Sequence, residues 1–141
     1  MAGVFLSILP TMQYTLLALS SPSDGQCLLT AVRVADAIIR RGHQLDTVFF
    51  SDAATTIGLA TLCMPQDEIA IQRQWQRLAA DHAVELVLCV ASAIQRGVAG
   101  TDELPSDSKL HPTLAEGFRI GGLGQLISAT HAADRVLTFG G

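Results

Sequence analysis

A chain of 141 residues is long enough for one domain with a proper core and too short for two comfortable ones. Its 13 acidic and 9 basic residues give a net charge of −4, which lacks the basic footprint of direct nucleic-acid binding, and its three cysteines, odd in number and without framework spacing, exclude a disulfide scaffold and fit a reducing cytoplasm. Hydrophobic residues reach 49 % against 16 % charged, with a mean hydropathy of +0.37, so apolar surface must be buried in a core covered on both faces and against partner subunits.

Met1 to Pro10 is apolar, but no basic segment precedes it and Pro10 interrupts it. It makes a poor signal peptide and is too short to span a bilayer, so no membrane association is expected. Met12 stands directly before the first convincing strand. Residues 1–11 therefore read as an extension outside the fold, of the kind a mis-assigned start produces, and residues 12–141 as the domain.

Tyr14 to Leu19 is a short apolar run ending in the turn-rich Ser20-Ser21-Pro22-Ser23-Asp24-Gly25. From Gln26 to Arg41 the positions Leu28, Leu29, Val32, Ala35, Ile38 and Ile39 recur at helical spacing, with Gly42 suited to the position just past the end. Leu45 to Phe50 reads as a second strand, followed by Ser51-Asp52. Residues 53–66 are small, apolar and ambiguous. Asp67 suits the cap of a helix from Glu68 to Asp81 that carries Ile69, Ile71, Trp75 and Leu78.

The apolar run Leu86-Val87-Leu88-Cys89-Val90 reads as a third buried strand whose last residue is the Cys89 thiol, running at once into the small-residue helical turn Ala91 to Gly97. Residues 99–113 form a loop, a helix spans about Leu123 to Ala132, and a strand from Arg135 to Phe139 closes the domain. Strands that alternate with helices, and that read as continuous apolar runs, predict a mostly parallel sheet covered on both faces. The fold class is α/β, a single three-layer α/β/α domain with a flavodoxin-like arrangement.

Cys89 is the residue best placed for chemistry. The carboxyl end of a parallel strand is where reactive groups collect, and a following helix start favours a thiolate through its unpaired N–H groups. On context alone, packing as a small apolar residue explains it equally well. Cys27, at the start of the first helix, and Cys63, before Met64-Pro65, read as structural, and neither forms a CxxC pair. His43, His82, His111 and His131 lack ligand spacing. The Ser20–Gly25 loop and Gly121-Gly122-Leu123-Gly124 fall short of the phosphate-loop and dinucleotide patterns, so no cofactor and no metal are expected. The terminal Gly140-Gly141 reads as a frayed tail.

The segment Leu88 to Val98 resembles the active-cysteine segment of the DsrE/TusD family of sulfur-relay proteins. Gly42 to Phe50 is similar to that family's second strand, Trp75-Gln76-Arg77-Leu78 to its helix before the cysteine strand, and Gly117 to Gly124 through Asp134-Arg135-Val136 to its C-terminal helix and strand. The likeness runs in order from about Met12 to Phe139. It implies a sulfurtransferase in which Cys89 accepts sulfane sulfur as a persulfide and passes it on. It also implies related DsrE-family subunits in a hetero-hexamer, or a homo-oligomer when the chain is isolated, with small sulfur-donor and sulfur-acceptor proteins as further partners. The implied destination is 2-thiouridine in tRNA or dissimilatory sulfur oxidation. Two other readings stand beside this one: a non-catalytic assembly subunit whose cysteine is structural, and a flavodoxin-like nucleotide binder using the Ser20–Gly25 loop.

Overall fold

The computed structural model describes residues 10–66 and 69–141. Strand and helix alternate along it: β1 (Gln13–Ala18), α1 (Cys27–Arg40), β2 (Gln44–Phe50), α2 (Ile71–His82), β3 (Glu85–Cys89), α3 (Val90–Gln95), β4 (Phe118–Gly121), α4 (Leu123–Ala132) and β5 (Arg135–Phe139), with a 3-10 turn over Asp52–Gly58. The five strands form one sheet in the order β4-β3-β2-β1-β5, and every pairing is parallel. From β1 to β4 the chain steps outward in one direction. It then crosses back to set β5 on the far side of β1. Because parallel crossovers keep one hand, this reversal puts α4 on the opposite face of the sheet from α1 and α2.

Side chains alternate across each strand, and the two faces differ in thickness. One face presents Leu16, Ala18, Val48, Phe50, Leu86 and Leu88, each at most 1 % exposed, to α1 and α2. Trp75 is fully enclosed there and meets Phe50 edge-on, with ring centroids 5.3 Å apart. Burying side chains of this size contributes about 1.5–3 kcal/mol each, so this layer carries most of the stability. The other face presents Leu17, Phe49, Val87 and Cys89, and Leu126 of α4 packs on them. No residue of α4 is itself buried, and Leu123 and Ile127 stand 59 % and 63 % exposed.

The sequence-based elements hold, with shifts that have local causes. Gly42 ends α1 as expected: it adopts φ 83°, and the His43 N–H reaches back to the Ile38 carbonyl at 3.1 Å. The ambiguous segment is the 3-10 turn, and its composition follows from a close approach. A Cβ on Gly58 would lie 2.2 Å from Leu88 Cδ1. Helix α2 starts at Ile71, three residues later than the spacing suggests; Ile69 precedes it, 46 % exposed. The proposed cap Asp67 lies outside the described residues, as does most of the expected extension over 1–11. The third strand ends at Cys89, as expected, and Val90 already belongs to α3. Strand β4 is the one strand the sequence reading missed: four residues, Phe118-Arg119-Ile120-Gly121, pairing on one side only.

Candidate active site

Strand β3 ends where α3 begins, so Cys89 occupies the N-cap position of that short helix with φ −58° and ψ 122°. This geometry turns the first free backbone N–H groups of α3 toward its sulfur. The Cys89 side chain makes no capping hydrogen bond to α3, but the Ser92 N–H and hydroxyl, the Ala91 N–H and the Ser51 hydroxyl stand around it and favour its anion. Burial pushes the Cys89 thiol up, but these donors together outweigh it and hold the thiol below its ordinary value. Cys89 is 9 % exposed, the least enclosed residue of its apolar cluster.

Each donor is placed by the sheet. Phe50 and Leu88 are register partners, so Ser51, one step on, stands beside Cys89. Asp52 follows with φ 49°, a left-handed conformation that aims its N–H at the Ser92 hydroxyl oxygen, 3.0 Å away. With its oxygen accepting from Asp52, the Ser92 hydroxyl is oriented to give its own proton to the sulfur. Ser92 itself is buried, 8 % exposed. Ser51 and Asp52 carry no sequence signal beyond their place at the end of a strand neighbouring β3.

Arg96 turns away from the thiol and donates from Nη1 to the Ser92 carbonyl at 3.1 Å, closing the end of α3. Cys27 is half-buried at the first position of α1, and Cys63 is exposed; neither belongs to the apolar cluster around Cys89. In the Ser20–Gly25 loop the Ser21 and Ser23 hydroxyls bond to each other at 2.8 Å, and Ser21 also accepts the Ser23 N–H. Those groups satisfy the loop itself. Among the described residues no helix is long and apolar enough to cross a membrane.

A thiol whose polar neighbours hold it below its ordinary value ionises more readily than a free cysteine and is the better nucleophile for it. Ser92→Ala removes one donor and leaves the Asp52 N–H unpaired. Its expected effect is a severalfold slower alkylation of Cys89 at neutral pH, with the pH profile displaced upward, and a stability loss of about 1 kcal/mol. Iodoacetamide labelling followed across pH checks the first; thermal unfolding checks the second.

Residues 12–139 match the model of the DsrE/DsrF-like family. A protein named sulfurtransferase TusD homolog from Vibrio vulnificus is 39 % identical over 92 % of this chain and 98 % of its own length. One of the same name from Haemophilus influenzae is 38 % identical over 90 % of this chain and 99 % of its own. The crystal structure of the ychN protein from E. coli superposes with a TM-score of 0.73 at 28 % identity, covering 92 % of this chain and all of that one. By the extent of the family match and the identity of these relatives, the chain belongs to the DsrE/DsrF-like family.

Proposed function

We propose that this protein is a sulfurtransferase in which Cys89 carries sulfane sulfur as a persulfide between a donor and an acceptor protein. The observation that carries this reading is the Cys89 thiol at a strand end, held by the donors of Ser51, Ala91 and Ser92. The Cys89 thiolate attacks the outer sulfur of a donor persulfide, forming a new S–S bond while the donor's S–S bond breaks and its inner sulfur leaves as a thiolate. An acceptor thiolate then attacks the outer sulfur on Cys89, and the electron pair of the broken bond returns to the Cys89 sulfur. The same donors that favour the attacking thiolate in the first half favour the leaving thiolate in the second.

The reading places the protein in a reducing cytoplasm with related subunits, in a hetero-hexamer or as a homo-oligomer when alone, and with small donor and acceptor proteins. Ile94 on α3 and Leu123 and Ile127 on α4, each at least 51 % exposed, lie on the elements flanking Cys89 and support subunit packing on that side. The destination of the sulfur, tRNA 2-thiouridine or dissimilatory sulfur oxidation, follows from the acceptor the protein meets. The test is direct: reduced protein is incubated with inorganic polysulfide, desalted and treated with cyanide. Release of about one thiocyanate per chain is the expected result. Release of none, with the polysulfide shown to load a control thiol, leaves Cys89 structural and the protein an assembly subunit.

A further inference from the structure

Gly121 of β4 is the register partner of Cys89. A Cβ there would lie 2.6 Å from both Val87 Cγ1 and Gln125 Oε1, so the space a side chain would take beside Cys89 is filled by the Gln125 carboxamide. Gln125 Oε1 is shut off from solvent and has no hydrogen-bond partner. The Gly121 position that it fills adjoins Val87 of the apolar cluster of Phe49, Val87 and Cys89, against which Leu126, the next residue of α4, packs. An unpaired buried acceptor carries a desolvation penalty that an apolar side chain of the same shape avoids. An acceptor kept there has a use when a donor arrives.

We infer that Gln125 Oε1 accepts the S–H of the Cys89 persulfide and so holds the outer sulfur in its neutral, transferable form. The inference rests on the persulfide reading of Cys89. Loading sets a second sulfur about 2 Å beyond the first. The inner sulfur already has its donors, as suits a leaving thiolate. The outer sulfur needs the opposite. An incoming thiolate is repelled by a deprotonated, anionic S–S⁻ and attacks the neutral S–SH, and a hydrogen bond accepted from the neutral form favours that form. In the transfer step the incoming thiolate bonds to the outer sulfur, the Cys89 S–S bond breaks with its electron pair left on the inner sulfur, and the S–H proton travels with the transferred atom. Gln125 is in this sense a specificity device for the second half of the reaction, idle in the first.

Two variants test it, Gln125→Met and Gln125→Glu. Each is loaded with inorganic polysulfide and discharged with 2-mercaptoethanol from pH 6 to 9, and the ratio of variant to parent rate at each pH cancels the titration of the acceptor thiol. Loading is expected to match the parent in both. Discharge of Gln125→Met is expected to be about fivefold slower, the worth of one hydrogen bond, with the deficit deepening as pH rises. Gln125→Glu keeps an acceptor oxygen and adds negative charge, so its ratio is expected to climb with pH. A ratio that does not change with pH in either variant, at whatever height, overturns the assignment while leaving the persulfide reading intact. A parent that never loads overturns the persulfide reading itself, and this inference with it.

Discussion

Cys89→Ser is expected to abolish sulfur transfer completely, while Cys27→Ser and Cys63→Ser retain it. Serine is close in size and its hydroxyl can take the same N–H groups of Ala91 and Ser92, so the site keeps its shape. What goes is the only atom of this side chain that can form a bond to sulfane sulfur. An alcohol of ordinary acidity is neither ionised at neutral pH nor able to hold a persulfide. Thiocyanate release from polysulfide-loaded protein should fall to the assay background, with thermal stability changed by no more than about 1 kcal/mol. Cys63 is exposed and Cys27 half-buried at a helix start, and neither belongs to the cluster around Cys89. Loss of release in Cys63→Ser with retention in Cys89→Ser would move the reactive thiol to the other side of the sheet.

Trp75→Ala is expected to cost about 3–5 kcal/mol, the largest stability loss of any single truncation in the domain. Trp75 is fully enclosed between α2 and the sheet, edge-on to Phe50, which in turn meets Phe118 of β4 at 6.0 Å. Its removal empties the centre of the thick layer, and the surrounding strands are too tightly paired to collapse into the gap. Domains of this size are stable by roughly 5–15 kcal/mol in all, so a melting temperature lower by about 10 °C or more is the expected reading. Trp75→Phe separates packing from polarity. The indole Nε1–H has no hydrogen-bond partner, so phenylalanine removes an unsatisfied donor and keeps most of the contact. It is expected to cost less than half as much as alanine. Equal losses in the two variants would contradict the packing account.

The contrast between these two residues mirrors what was readable from sequence. Trp75 fell on an evident apolar stripe, and Cys89 closed an evident apolar run; both are determined by neighbours within a few residues. The donors around the thiol are not. Ser51 and Asp52 come from the end of β2 and Ser92 from α3, and only the parallel register of β2 and β3 brings them together. Gln125 was invisible for the same reason, because its carboxamide matters through a glycine on a strand too short to show any pattern. Ile69 misled in the other direction: it fits the helical spacing of α2, yet that helix starts only at Ile71. Arg96 had the right charge near the right cysteine, and its guanidinium instead caps a carbonyl. Local periodicity predicted the scaffold well. Contacts between strand ends, which make the site, needed the fold.

The central claim is that sulfur travels on Cys89, and the measurement that tests it most directly is mass spectrometry of the polysulfide-loaded protein, intact and after digestion under non-reducing conditions. The account predicts a gain of one sulfur atom on the peptide that carries Cys89, removed by reductant. An added sulfur found only on the Cys27 or Cys63 peptide, or a protein whose mass never changes while a control thiol loads, would contradict it.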